Sequence, residues 1–272
     1  MKAKSFLVFT AIFMATSLMF SCSFDVDDIE SIGGASSSSD DASSSSLGNS
    51  SSSDGSGSSG GDVAVVTFTD SRDGRVYKSV KINGKTWMAE NLNYAGPDGN
   101  IGKCYGEDGE VYYDEDTGEM LTLSADEVQA NCVKYGRLYD WSTAMSVCPS
   151  GWSLPSNADW DALYLFVDPA YNKDALDCEC GFSETAGRHL KAKSGWEENG
   201  NGTDNFGFAA LPGGYGLSNG NFYRIGYVGD WWSSSEKGVE YAYHRGMYHD
   251  NEHARWDLGD KSKLFRVRCL QN

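Results

Sequence analysis

Basic residues are scarce in this chain: 22 Lys and Arg stand against 39 Asp and Glu, a formal net charge of -17. No basic stripe interrupts that excess, so a phosphate backbone has nothing to neutralise it and nucleic acid is excluded as a partner. Apolar runs are short as well. The longest, residues 6–20, falls below the roughly twenty residues a spanning helix needs, so it is not read as a transmembrane segment. No G-x-S-x-G sits at a strand-to-helix turn, which removes one serine-nucleophile architecture. Histidine is limited to His189, His244, His249 and His253. The last three, with Asp250 and Glu252, have residue types that suit a transition metal. Their spacing on a strand and loop sets no common face, and an exposed polar loop is the simpler reading.

What is present begins at Cys22. Residues 1–4 are basic, residues 6–20 apolar, and Ser21 is a small residue at a cleavage junction. The segment resembles a bacterial lipoprotein signal peptide, with Leu18-Met19-Phe20-Ser21-Cys22 in the lipobox position. Met19 and Phe20 are bulkier than the pattern prefers. The resemblance implies removal of residues 1–21, a diacylglyceryl anchor on Cys22 and attachment to the outer membrane. The acidic residues just after Cys22 resemble the sorting signals of surface-exposed lipoproteins and imply display at the cell surface, a merely soluble leader being the alternative. Ordinary secretion with cleavage near Ser21 is the alternative. Residues 22–62 carry Asp25, Asp27, Asp28 and Glu30, then long serine runs and a Gly/Ser end. With so little to bury, that composition reads as a flexible spacer.

Residues 63–272 form the folded region. In an exported chain, the six cysteines besides Cys22 (Cys104, Cys132, Cys148, Cys178, Cys180 and Cys269) read as three disulfides, although fifteen pairings exist. Apolar residues at 76, 80 and 82 alternate with polar ones up to Asn83-Gly84, and a second short run follows, predicting a β-hairpin. Helices are expected over 139–147 and 156–167. Each has apolar residues at i, i+3, i+4 and i+7, and Ser156 is suited to cap the second. A third, shorter helix is expected over 186–193. Apolar bursts at 206–211, 227–233, 239–243 and 264–269 predict short strands joined by long loops.

The motifs then point to a family. The segment Gly151-Trp152-Ser153-Leu154-Pro155 through Trp160, and the closing Phe265-Arg266-Val267-Arg268-Cys269, resemble the formylglycine-generating-enzyme branch of the C-type-lectin-like fold. Asp70–Lys78, Thr86-Trp87-Met88-Ala89-Glu90-Asn91-Leu92-Asn93-Tyr94, Gly136–Tyr139, Cys148–Trp152 and Gly200–Gly214 resemble the Fibrobacter succinogenes major paralogous domain, in the family's order. The resemblance implies an α+β, C-type-lectin-like domain of two helices, short antiparallel strands and long loops. It also implies that the chain's end returns beside its start, and so a Cys148–Cys269 disulfide. Cys104–Cys132 would then staple the insertion carrying the acidic loop, leaving Cys178 and Cys180; alternatively one of these pairs with Cys104 or Cys132. The paired reactive cysteines of formylglycine-generating enzymes have no counterpart, since Cys269 stands alone late in the chain, so catalysis is not expected.

Two loops have the oxygen donors for calcium, the one cofactor the residues suggest. One is Asp114-Glu115-Asp116-Thr117-Gly118-Glu119; the other holds Asn199, Asn201, Asp204 and Asn205. The Glu-Pro-Asn and Gln-Pro-Asp motifs of sugar-binding C-type lectins are absent. Aromatics crowd the second half. Trp231 and Trp232 are adjacent on an expected strand, where alternation would bury one and expose the other. With Tyr215, Tyr223 and Tyr227 they form an expected ligand-binding set. The reading is a surface-anchored, non-catalytic module that binds polysaccharide or surface proteins. A ligand-free scaffold and a carbohydrate-active or protein-modifying enzyme are the alternatives.

Overall fold

The computed structural model describes residues 63–114, 119–173 and 181–272. Cys22, Cys178, Cys180 and most of the acidic loop lie outside the described residues.

The domain opens with β1 (Val65–Thr69), β2 (Val76–Ile82) and β3 (Lys85–Met88), joined in antiparallel register. Asn83 and Gly84 close the β2–β3 hairpin with φ of 49° and 77°. Two consecutive positive φ values define the tight turn that matches strand twist, which is why Asn-Gly suits this position. β4 (Val111–Asp114) and β5 (Glu119–Leu121) follow, then helix α1 (Ala125–Tyr135), β6 (Leu138–Tyr139), α2 (Trp141–Ala144), β7 (Trp152–Ser153) and α3 (Asn157–Val167). The second half runs β8 (Gly181–Ser183), α4 (Ala186–Leu190), β9 (Gly213–Gly216), β10 (Phe222–Ile225), β11 (Val228–Lys237), β12 (Tyr241–Tyr248), β13 (Ala254–Asp260), β14 (Phe265–Arg266) and β15 (Leu270–Gln271).

These strands build two sheets. The smaller has the order β1-β2-β3-β15-β7; the larger has β5-β4-β10-β9-β11-β12-β13-β8, with β14 joined to β11 and β6. The C-terminal segment links them, because β14 belongs to the large sheet while Leu270 on β15 pairs with Trp87 on β3. The last described strand thus lies beside the opening hairpin of the domain. Cys148 bonds Cys269 across a Cα separation of 5.9 Å, and Cys104 bonds Cys132 across 5.0 Å.

The fold-class expectation is overturned. Instead of a two-helix C-type-lectin-like α+β domain, the described residues form a β-rich architecture with four helices, two of them only four and five residues long. The physical reason lies in the second half. The segment expected to be short strands in long loops is instead an antiparallel run, β11 pairing β12 and β12 pairing β13 over seven positions each, the former with a register shift between Trp232 and Glu236. Elsewhere Tyr139 is drawn into β6 by pairing with Phe265, so the expected 139–147 helix shrinks to α2. Residues 206–211 are irregular rather than a strand: Gly207 and Ala209 take φ of 66° and 52°, and only Ala210 makes a bridge, to Lys191. Helix α1 has no counterpart in the sequence expectations, since only Cys132 and Tyr135 are buried and no apolar stripe announces it. Its signal was the Ser124/Glu127 capping box.

The 156–167 helix forms as α3. Ser156 accepts from Asp159 N, Asp159 answers to Ser156 N, and Trp160, Leu163, Tyr164 and Val167 face inward. They join Val80, Trp87, Phe208, Trp231 and Met247 in the largest core cluster, while Tyr77, Met88, Tyr139, Trp232, Phe265 and Val267 form a second.

Candidate functional site: a polar and aromatic face of the large sheet

Strand register decides which side chains share a face. Asp230 pairs with Gly246 and Trp232 with His244 across β11–β12; Gly246 pairs with Arg255 and His244 with Asp257 across β12–β13. Directly paired residues project to the same side, so Asp230, His244, Arg255 and Asp257 share one face. On the other flank Gly229 pairs with Gly214, which puts the next residue, Tyr215, on the Asp230 side, and Tyr223 pairs with Tyr215. The rings of Tyr215 and Tyr223 stack at 5.5 Å with planes 15° apart.

This face has a buried layer and an open one. Asp230 and His244 are buried, with Asp230 Oδ1 3.2 Å from His244 Nδ1. That is ion-pair distance, but the alignment is not that of a hydrogen bond, and neither atom has another hydrogen-bond partner. The His244 ring packs 4.5 Å from Phe265. Above this layer Arg255 Nη2 donates to Asp257 Oδ2 at 3.1 Å, and the guanidinium lies 4.5 Å over the Tyr248 ring. Burial alone would pull the Arg255 pKa down, but Tyr248, Asp230 and Asp257 outweigh it and hold the value above normal. The Tyr248 hydroxyl is pushed up by burial and by the Asp230 charge. Gly246 lets these side chains close in over the strand, since a Cβ at that position would stand 2.8 Å from Asp230 Oδ1 and 3.3 Å from Arg255 Cγ. Nearby Arg224 holds φ of 58°, a strained backbone for a non-glycine residue.

The predicted aromatic set divides. Tyr215 and Tyr223 reach this face. Trp232, paired with His244, projects to this face too, but it is fully buried with its ring 4.5 Å from Phe265, and it donates Nε1 to Tyr139 O at 2.7 Å. Trp231 points to the opposite face, also fully buried, and donates to Asn91 Oδ1 at 2.8 Å. The expectation that one tryptophan faces outward is therefore corrected: alternation holds, but this strand has a core on both sides. Tyr227 sits apart, edge-on to His249, whose Nε2 lies 3.1 Å from Glu198 Oε2.

In the predicted calcium loop, Asn201 Oδ1 accepts from Trp196 N and Asp204 Oδ1 from Ala209 N. Asn205 Nδ2 lies 2.9 Å from His189 Nδ1, and Asn199 takes φ of 63°. Those side chains shape the loop itself. Among the described residues no group of three or more His, Cys, Asp or Glu is gathered to hold a metal; His244, His249 and His253 do not converge.

A cleft of about 400 Å³ lies between the β2 strand, the end of α1 and the 204–211 loop, lined by Lys78, Glu90, Asn91, Asn93, Val133 and Asp204 among others. Its floor is occupied by structural bonds. Asn91 Oδ1 accepts from Trp231 and from Arg268 Nη2 at 3.0 Å, Asn91 Nδ2 donates to Tyr135 O, and Asn93 Nδ2 donates to Cys132 O. Arg268 and Arg266 are fully buried, and among the described residues no carboxylate pairs with either. Backbone carbonyls of Phe208 and Ala209 take the former, and those of Gly136 and Gly213 the latter. Burial lowers both pKa values to about 9, with Asp204 and Glu90 opposing the shift at Arg268. The Phe265-Arg266-Val267-Arg268-Cys269 motif carries both arginines, but no local signal in it tells that they tie distant loops together from inside the fold.

No curated protein and no solved structure matches the chain. The model of the Fibrobacter succinogenes major domain matches residues 80–271, which span α3, the buried arginines and every strand of the face described above. The chain belongs to the Fibrobacter succinogenes major domain family.

Proposed function

We propose that this protein is a non-catalytic polysaccharide-binding module, held at the outer-membrane surface by a lipid on Cys22. The observation that carries the reading is the stacked Tyr215–Tyr223 pair on the same sheet face as the Arg255–Asp257 ion pair. Aromatic bodies present the apolar surface a pyranose ring needs, and a few placed polar groups give orientation. The guanidinium offers fixed donors and the carboxylate acceptors, the complement of neighbouring sugar hydroxyls. The charge of buried Asp230 acts on both Arg255 and Tyr248, and Arg255 is already bonded to Asp257 and packed on the Tyr248 ring, so these groups are arranged before any ligand arrives. The basic leader, apolar segment and Ser21-Cys22 junction support the anchored address. The test is retention of the full chain on cellulose, xylan and a glycan array, with Tyr223→Ala and Arg255→Ala as controls. Binding that both substitutions weaken supports the reading; absence of binding to every glycan overturns it.

A further inference from the structure

Strand β1 is the outermost strand of the small sheet, paired only with β2 among the described residues. Sheet edges in soluble proteins are usually shielded by charge, proline or a bulge, because their free N–H and C=O groups template pairing with another chain. Residues 63–69, Val-Ala-Val-Val-Thr-Phe-Thr, have none of these: no charge, no proline, and an unbroken register with β2. Val65 and Val66 project to opposite faces yet are 50% and 59% exposed, so the apolar surface is open on both sides of the ribbon. Lys78 O accepts from Ala89 N on the β3 side. By alternation, Tyr77 and Ser79 bond β1 through Phe68 and Val66, and the outer edge is presented by Val65, Thr67 and Thr69.

We propose that this edge pairs antiparallel with β1 of a second copy, about a two-fold axis through Thr67. That register is self-complementary. It sets Thr67 opposite Thr67, Val66 opposite Phe68, and Val65 opposite Thr69, and hydroxyl pairs and aromatic–β-branched pairs are favourable cross-strand neighbours. On one face Val66 covers the free edge of Phe68, whose ring already stacks 4.2 Å from Trp152. On the other, Val65 joins a row with Thr69 and the 57% exposed Val76 of the partner copy. The two small sheets become one continuous sheet. Antiparallel strands enter from opposite ends, so both chains must reach back to one surface. About forty residues separate Cys22 from Val63, a contour of roughly 130 Å, several times the length of β1. This reach matters only if Cys22 is anchored as proposed above, and anchoring would raise the effective concentration of the second copy.

The experiment uses the full chain in detergent micelles, carrying Thr67→Cys, with Val239→Cys as an exposed collision control (Val239 is 91% exposed). Under mild oxidation Thr67→Cys is expected to form a 67–67 cross-link, confirmed by peptide mapping, at least tenfold faster than Val239→Cys forms its own. Adding Val66→Lys, a charge on an exposed edge position, is expected to reduce that rate to the control level while leaving the melting temperature and glycan retention unchanged. Equal rates for the two cysteines, a cross-link to a different protein in place of the 67–67 product, or a rate unaffected by Val66→Lys would each overturn the proposal.

Discussion

Trp231 and Trp232 are consecutive in the chain, fully buried, and separated by the thickness of a sheet. Trp231 belongs to the α3 core and bonds Asn91; Trp232 belongs to the Phe265 core and bonds Tyr139 O. One dipeptide on β11 therefore ties together the two apolar clusters that position the candidate face.

Asn91 is the junction on the Trp231 side. Its Oδ1 accepts from the indole and from two nitrogens of the buried Arg268. Asn91→Leu keeps the volume but removes that acceptor, leaving a buried guanidinium short of partners. The expected loss is about 3–5 kcal/mol in urea unfolding. Trp231→Phe, which leaves Asn91 bonded to Arg268, should lose less. A loss under about 1 kcal/mol for Asn91→Leu would refute the clamp.

The disulfides differ in span, 121 residues for Cys148–Cys269 and 28 for Cys104–Cys132. On the chain-entropy account the longer loop stabilises by about 5 kcal/mol and the shorter by about 3.5 kcal/mol. Paired alanine substitutions, compared by denaturant midpoint, should preserve that order.

Stability should respond to pH at both ends. Burial pushes Asp70 up, but hydrogen bonds from Arg72 outweigh it and hold the carboxyl below the ordinary value. Asp140, Asp159 and Asp168 are depressed in the same way, by hydrogen bonds that overcome burial. A depressed acid stabilises the folded state above its unfolded pKa, near 4, and that contribution is lost as pH falls through the folded values. The urea midpoint should therefore drop below pH 4, less steeply in Asp70→Asn. At the other end, burial lowers Lys191 to about 8, against the pull of Asp250 and Glu252. Its Nζ donates to Tyr248 O and Asn251 O, two bonds that a neutral amine also makes. Between pH 8 and about 10 the unfolded chain binds the extra proton, so this group's contribution rises with pH. Lys191→Met should flatten the rise between pH 8 and about 9, below the range in which the lowered Arg266 and Arg268 contribute.

On the proposed binding face, Tyr223→Ala should weaken glycan affinity about tenfold with little effect on folding, measured by calorimetry on the glycan the array identifies. Gly246→Ala should weaken it as well, because the added methyl has no room and displaces Asp230 or Arg255. An unchanged affinity in both variants would move the site elsewhere.

Some of this was legible before folding because it is local. Asn83-Gly84 demands a tight hairpin by its φ preferences, and Ser156, with four apolar residues at helical spacing, defines α3 within a residue. The strand signal at Trp231-Trp232 was equally local. Alternation along a strand follows from the backbone, but whether each side is covered depends on α3, Asn91, Phe265 and Tyr139, all distant in sequence. The same holds for the site. Tyr215 and Tyr223 were visible as aromatics, whereas Asp230, Gly246, Arg255 and Asp257 become neighbours only through the β11–β12–β13 register.

The sequence by itself determined the hairpin, the capped helix and the family, because turn φ values, capping groups and apolar spacing act over a few residues. Tertiary structure alone decided that the second half is a broad sheet rather than loops, that both tryptophans are buried, and that Arg266 and Arg268 clamp loops from within. Those outcomes depend on which surfaces exclude water together, a property of contacts between segments as far apart as Asn91 and Arg268.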